Sequence, residues 1–168
     1  MPDRTAHAPA SRPGFPGPPL LAGSGGIPRL AAADALAALA RGMQEAGCEQ
    51  PDVLPVPGAG AGDPVRLREL LAYERFDERM RAARALVICV PRLLPAALAR
   101  SLAFELATRA RQAGVPALAV AGESRIDAFQ ARILDLQAIE LARGREGLRA
   151  AGRAVARMLS AGSQDTSR

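Results

Sequence analysis

The stretch from Ala85 to Gly122 constrains the fold more than any other part of this chain. It opens with six apolar residues, Ala85 to Val90, that show no polar alternation, which is typical of a parallel strand covered on both faces. Pro91 ends that run, and Pro95 suits the first turn of a helix because its missing N–H has no intrahelical partner there. A second apolar run follows at Ala117–Ala121. The stretch therefore predicts a strand, a helix and a second parallel strand.

The rest of the chain alternates strands and helices in the same way. The predicted elements are a strand at Leu20–Ala22, a helix at Leu30–Ala46, a strand at Asp52–Val56, a helix from Asp63 that breaks near Tyr73 and restarts around Asp77, the central unit with its helix running from Pro95 to Gly114, a segment at Ile133–Leu141 that is either strand or helix, and a helix at Arg145–Ser160. This order predicts an α/β fold, a doubly wound, mostly parallel sheet with helices on both faces (Rossmann-like). We predict a single domain over residues 20–160, between a disordered Pro-rich tail (1–19) and a disordered polar tail (161–168).

The composition excludes several kinds of chemistry. All 22 basic residues are arginine, so no lysine can contact a phosphate or form a Schiff base. His7 is the only histidine and lies in the irregular N-terminal tail, which argues against a Ser-His-Asp triad and a histidine metal site. Cys48 and Cys89 are too few and too far apart for a CxxC motif, and their use fits a reducing cytosol. We predict no metal site.

The net charge of +5 raises the question of nucleic-acid binding. The arginines are spread along the chain among 17 acidic residues, and only Tyr73 and four phenylalanines could stack on bases. We therefore predict solvated helix faces and no nucleic-acid partner. No apolar run approaches the roughly 18 residues that span a bilayer, which favours a cytoplasmic protein with no membrane partner.

Three glycine-containing segments are expected at the carboxyl edge of the sheet, where doubly wound folds bind ligands. The candidate binding residues are Gly23, Ser24 and Gly25 in the first segment and Gly58, Gly60 and Gly62 in the second, and the third segment is Gly122–Ser124. Backbone N–H groups in such loops can cradle a phosphate without lysine. Neither a P-loop nor a GxGxxG pattern is complete, because lysine is absent and Pro28 stands at the third glycine position. Tight turns that require small residues are the competing interpretation.

Three charged residues are expected near the same edge. Glu123 and Asp127 follow the strand that ends near Ala121, and as a pair they could bind a cation or orient a hydroxyl group. Arg92 follows the strand that ends at Val90 and could meet an anion. The competing interpretations are acids at a helix start and a solvated arginine.

Several segments of this chain resemble bacterial glycerate kinases, the class that phosphorylates glycerate with ATP. The matching segments are LLA (20–22), AAADALAALARGM (31–43), PVPGAGAGD (55–63), FDERM (76–80), RALVIC (84–89), AGVP (113–116), AVAG (119–122) and AGRAVARML (151–159). The resemblance covers about residues 20–159 in two blocks, and the second domain that the family inserts after Asp63 is missing. It implies that a doubly wound domain is kept.

The catalytic motifs of that family are degenerate in this chain. The loop aspartate and lysine of the family fall on Ser24 and Ile27, and the acids of its D-G-G-E motif fall on Gly58 and Ala61. Its G-E-G-R-L-D motif corresponds to Val90–Pro95. Because phosphoryl transfer needs positioned cations and metal-holding carboxylates, the resemblance implies little or no kinase activity.

Two functions from different classes follow from these observations. The first is an inactive remnant that acts as a binding or interaction module, with no certain cofactor and with a small hydroxy acid or nucleotide as candidate ligand. The second is an active kinase that uses Mg-ATP on glycerate or a related hydroxy acid, through a partner chain or a site rebuilt from Arg92, Glu123 and Asp127. A gene fragment that encodes a foldable domain is a third interpretation. The face left by the missing domain predicts a homo-oligomer or a partner chain that covers it.

Overall fold

The computed structural model describes residues 17–25, 27, 29–57 and 63–165, with side chains of the last helix described through residue 162. The elements are β1 (Leu20–Gly23), α1 (Ala32–Glu45), β2 (Asp52–Pro55), α2 (Pro64–Tyr73), α3 (Phe76–Ala82), β3 (Leu86–Leu93), a 3₁₀ helix (Pro95–Arg100), α4 (Leu102–Ala113), β4 (Ala117–Ser124), α5 (Ala128–Ile133), β5 (Leu136–Leu141) and α6 (Gly144–Asp165). All strand pairs are parallel, in the order β2-β1-β3-β4-β5. This order is one of the two common doubly wound arrangements, so the predicted fold class is confirmed.

The sheet is buried between two apolar layers because successive side chains of each strand point to opposite faces. We call the side covered by α1 and α6 the two-helix face, and the side covered by α2 to α5 the four-helix face. The strand residues that pack on the two-helix face are Leu21, Val87, Cys89, Leu118 and Val120. Those that pack on the four-helix face are Leu20, Ala22, Leu54, Leu86, Ile88, Val90, Leu93, Ala117, Ala119 and Ala121. The unbroken apolar runs seen in the sequence are thus explained by burial on both sides.

On the two-helix face, α1 and α6 cross in close contact at two glycines. A Cβ on Gly152 would lie 2.2 Å from the carbonyl oxygen of Leu39, and a Cβ on Gly42 would lie 2.0 Å from that of Arg149. Only glycine allows the two backbones to approach this closely.

Beside this crossing, Arg149 and Arg153 both pair with the Glu45 carboxylate, the second at 2.8 Å. The hydrogen bond from Arg149 is the main reason that the pKa of Glu45 lies below its ordinary value.

On the four-helix face, arginines connect short helices. Arg79 of α3 donates two hydrogen bonds to the Asp52 carboxylate at the start of β2, at 2.7 and 2.8 Å. These bonds hold the pKa of Asp52 below its ordinary value. Arg109 of α4 pairs with Asp77 of α3 at 3.0 Å and with Glu105, one helical turn earlier in α4, at 2.8 Å.

Strand β3 is longer than the sequence predicts, because it continues through Pro91 to Leu93. Strand β1 ends at Gly23, opposite Cys89, so the flank of β3 that faces β1 has no strand partner at Pro91. Such an edge tolerates a proline, which cannot donate to a ladder. The prediction that the strand ends at Pro91 is therefore wrong.

Strand β4 also continues further, through Gly122–Ser124, and Arg92 and Leu93 of β3 stand opposite Glu123 and Ser124 in the register. The predicted third glycine loop is therefore strand.

The segment after Pro95 is two elements and not one helix. The 3₁₀ helix ends at Arg100. The hydroxyl of the next residue, Ser101, donates to the carbonyl of Leu98 at 2.7 Å and accepts from the N–H of Phe104 at 3.1 Å. Ser101 therefore serves as the N-cap from which α4 begins. The prediction of a single helix from Pro95 to Gly114 is therefore wrong, because it did not take this capping residue into account.

Several other boundaries agree with the sequence predictions. Asp63 caps α2 by accepting from the N–H groups of Val65 and Arg66, and Pro64 occupies the first turn. Helix α2 ends at Tyr73, and a second helix, α3, begins at Phe76. The ambiguous segment at Ile133–Leu141 is strand from Leu136 onward.

Among the described residues, no helix has both the length and the apolar character needed to cross a bilayer. Residues 1–16 of the predicted N-terminal tail and 166–168 of the predicted C-terminal tail lie outside the described part of the chain.

Candidate functional site

The carboxyl edge of the sheet is not level, because its central strands project beyond their neighbours. Strand β1 ends opposite Cys89 and β5 ends opposite Ala121. The last residues of β3 and β4 therefore pair only with each other, and we call this pair, Val90–Leu93 with Gly122–Ser124, the β3–β4 ridge. At about 3.3 Å per residue, Arg92 stands about 10 Å beyond the level at which β1 ends. The ridge divides the edge into a β1 side and a β5 side.

The candidate glycines after β1 are packed against neighbouring backbone. A Cβ on Gly23 would lie 2.1 Å from the carbonyl oxygen of Cys89. Gly25 has φ +71, and a Cβ there would lie 2.4 Å from the backbone nitrogen of Ala32, the first residue of α1. Ser24 is half-buried, and its N–H donates to the carbonyl of Cys89 at 3.1 Å. The structure therefore supports the competing interpretation, in which small residues are required by close packing.

Ile27 fills space beside the ridge. Its side chain is 0 % exposed and belongs to the apolar layer of the two-helix face. A Cβ placed on Gly122 would lie 3.8 Å from Cγ2 of Ile27, so this side chain reaches from the loop after β1 to the level of β4. Ligands of this strand order bind at the crevice between the carboxyl ends of β1 and β3, and Ile27 lies in the loop that borders it.

The ridge brings together Arg92 and Glu123, as the sequence suggested, since the two residues are partners in the β3–β4 register. The Glu123 carboxylate accepts from Nε of Arg125 at 2.6 Å. The exposed Arg92 guanidinium makes no hydrogen bond or ion pair with any described residue. The ridge thus carries one neutralised carboxylate and one arginine that remains available. Arg125 was not predicted as a site residue, although its place two residues after Glu123 was a usable signal.

Asp127 does not join Glu123 in a shared site. Its carboxylate accepts from the N–H of Gln130 at 2.8 Å, and the Gln130 side chain accepts from the N–H of Asp127 at 3.0 Å. These two bonds form a capping box at the start of α5. The interpretation of Asp127 as a helix-start acid is confirmed, and the interpretation of the two acids as a cation-binding pair loses its support.

The remaining candidates add no metal-binding group. Gly58, Gly60 and Gly62 lie outside the described residues. In the part of the chain that the structure describes, no three His, Cys, Asp or Glu residues lie close enough together to hold a metal ion. Cys89 lies below the ridge, and burial raises the pKa of its thiol to about 12, so that it behaves as a small hydrophobic residue.

A groove of about 430 Å³ lies between α3 and α4, on the four-helix face and away from the predicted edge. Its lining residues are Asp77, Met80, Arg81, Glu105, Thr108, Arg109, Gln112 and Ala113. Arg109, its most enclosed charge, is already paired with two carboxylates. The groove therefore offers polar contacts but no unpaired buried charge.

Comparison of the chain with family models, with curated proteins and with solved structures found no match. The resemblance to glycerate kinases therefore stays a prediction from the sequence motifs.

Proposed function

We propose that this protein is a glycerate-kinase-like domain that does not transfer phosphate and that binds a small anion, either a hydroxy acid or the phosphate groups of a nucleotide. The observation that carries the proposal is the complete burial of the Ile27 side chain. At the position that the resemblance assigns to the loop lysine stands an isoleucine that is fully buried in the apolar layer. Burying a charged group in that layer would cost several kcal/mol, so a catalytic cation has no place there.

The acidic groups of the edge support the same proposal. Phosphoryl transfer needs carboxylates that are free to hold Mg²⁺. Glu123 is paired with Arg125, and Asp127 is engaged at the N-terminus of α5. Both groups therefore perform local structural roles.

Arg92 is the group that we propose contacts the anion. Its guanidinium is exposed on the ridge and has no carboxylate partner among the described residues, which leaves all five of its N–H donors available. A guanidinium can bind a carboxylate or a phosphate in a bidentate manner. Because the site is exposed, the affinity should fall as salt is added.

The test is calorimetric titration of the full chain with glycerate and with Mg-ATP at low ionic strength. We expect saturable binding of at least one of them, which Arg92→Gln weakens about tenfold, equivalent to about 1.4 kcal/mol. Arg100→Gln is the matched control, because Arg100 is another exposed arginine at the end of the 3₁₀ helix, and it should leave binding unchanged.

A coupled ADP-release assay tests the loss of catalysis. We expect no release above the blank with Mg-ATP and glycerate. Turnover that disappears in Glu123→Ala or Asp127→Asn would overturn the proposal in favour of the active kinase, and asparagine is chosen because it preserves the N-cap. Failure of both ligands to bind, or equal loss of binding in the two arginine variants, would remove the anion-binding role from Arg92.

A further inference from the structure

The two edges of the sheet differ in how they are protected. Strand β2 forms one edge, and its sequence Asp52–Pro55 lies between Pro51 and Pro57. Its first residue, Asp52, is held by Arg79. Prolines, charges and short length are the usual means by which an edge strand is kept from pairing with another chain.

Strand β5 forms the other edge and lacks these protections. Its sequence, Leu-Gln-Ala-Ile-Glu-Leu, has no proline and one charged residue, Glu140. Among the described strands it pairs only with β4, so the N–H and C=O groups on its outer flank have no strand partner. Leu141 at its end is 63 % exposed.

Helix α5 adds apolar surface beside this edge. None of its residues is buried, and Phe129 and Ile133, one helical turn apart, are 64 % and 45 % exposed. Arg111 of α4 donates to the carbonyl of Ile133 at 3.2 Å, so α4 lies on the inner side of α5. Phe129, Ile133 and Leu141 thus form, with the outer flank of β5, what we call the β5 edge patch.

We propose that the β5 edge patch binds a second copy of this chain, with the two β5 strands antiparallel about a two-fold axis at Ile139. In this register Ile139 faces its own copy, Gln137 faces Leu141, and Glu140 faces Ala138, so no like charges are opposed. Exposed Asp135, in the left-handed turn just before β5, and exposed Arg143, just after β5, then flank the ladder and bring opposite charges to each of its ends. The shift in pairing with β4 falls between Leu136 and Ile139 of each copy, so two-fold symmetry places one such irregularity on either side of the central Ile139 pair.

The two-fold arrangement also accounts for α5. An axis normal to the sheet joins the two sheets into one and places both α5 helices on the same side, where they flank the paired strands. Their exposed apolar residues then bury against each other, which supplies the surface that α5 does not bury within its own chain.

The segment formed by residues 1–16 is a poorer occupant of this edge. It contains Pro2, Pro9, Pro13 and Pro16, none of which can donate a hydrogen bond to a strand.

The experiment is sedimentation equilibrium of the full chain. We expect a wild-type dimer, and we expect Leu141→Glu to weaken self-association at least about tenfold while the circular dichroism spectrum stays unchanged, because Leu141 is exposed. Tyr73→Glu is the matched control, since Tyr73 is 84 % exposed on α2, next to the place where the missing domain would be inserted. It should remain a dimer.

The register is tested by oxidation of Ile139→Cys. Residues that face each other across an antiparallel pair have Cα atoms about 4.5–5.5 Å apart, within reach of a disulfide. We expect a covalent dimer that Tyr73→Cys and the wild-type protein do not form. A wild-type protein that is monomeric at high concentration would overturn the proposal, as would a dimer that Tyr73→Glu dissociates and Leu141→Glu does not.

Discussion

On the two-helix face, α1 and α6 meet backbone to backbone, whereas on the four-helix face short helices are joined by arginine side chains. The first arrangement depends on Gly42 and Gly152, which bring main-chain atoms into direct contact. The second depends on Arg79 and Arg109, which bridge α3 to β2 and α3 to α4. Arginine pairs occur on both faces, since Glu45 of α1 also pairs with Arg149 and Arg153 of α6. The comparison therefore teaches that direct backbone contact, and not the presence of ion pairs, distinguishes the two-helix face.

The difference has a functional side. The two-helix face leaves no large apolar side chain highly exposed among the described residues, whereas Val65, Tyr73, Phe129 and Ile133 are exposed on helices of the four-helix face. The groove between α3 and α4 also lies on that side. Contacts with other molecules are therefore expected mainly on the four-helix face and at the sheet edges.

The largest expected effect comes from the packed core of the four-helix face. Phe76 is fully buried at the start of α3, and Phe76→Ala should lower the free energy of unfolding by about 3–5 kcal/mol, measured by urea denaturation. Phe129→Ala is the control on the same face and should change stability little, since Phe129 is exposed and the measurement is made at low protein concentration. A loss at Phe76 no larger than that at Phe129 would contradict the role of Phe76 in the packed core.

The glycine crossing is tested by Gly152→Ala, which we expect to destabilise the protein by about 1–3 kcal/mol because α6 must move away from α1. Gly162 lies on the same helix with no atom within 4 Å of a Cβ placed there. Gly162→Ala should therefore stabilise by up to about 1 kcal/mol, through helix propensity alone. Thermal unfolding of both variants measures the difference. A neutral Gly152→Ala would contradict the close contact.

The smallest effect concerns acid sensitivity. The pKa of Asp52 is lowered by hydrogen bonds from Arg79, so the stabilisation is present at neutral pH and is lost as pH falls through the lowered value. Because both side chains are partly exposed, the pair should contribute about 1 kcal/mol. Asp52→Asn should remove this part of the pH dependence between about pH 7 and pH 3, measured by urea denaturation at each pH. Glu45→Gln is the corresponding substitution on the two-helix face. If it changed the pH dependence of stability more than Asp52→Asn does, ion pairs would matter more on the two-helix face than on the four-helix face.

Most of the architecture could be predicted from the sequence, because apolar runs and helical periodicity report burial directly. The helix start at Asp63, the end of that helix near Tyr73 and the existence of the final helix were predictable from capping residues and apolar spacing in the local sequence. The extension of β3 through Pro91 could not be predicted, since a proline is tolerated there only because β1 ends earlier. The start of α4 after Ser101 could have been predicted, because serine is a common N-cap residue. The helical spacing of the apolar residues around it instead favoured one continuous helix.

The candidate site was predictable only in part. The sequence placed Arg92 and Glu123 near the same edge of the sheet, and the register of β3 and β4 shows in addition that they are direct neighbours. The sequence could not show that Gly25 packs against α1 or that Ile27 is buried beside the ridge, because both facts depend on how the loop after β1 folds back. The choice between a helix-start role and a binding role for Asp127 was settled by its hydrogen bond to Gln130.

The contact between α1 and α6 also bears on how the chain matures during translation. Gly42 and Gly152 lie far apart in the sequence, so the ribosome has to synthesise the long segment between them before they can meet. Translation proceeds at about 5–20 residues per second, so several seconds pass between the synthesis of α1 and that of α6. During this time the apolar surface of α1 that packs on α6 is uncovered. The face of α1 that packs on α6 therefore stays uncovered by α6 until residues 144–165 have left the exit tunnel.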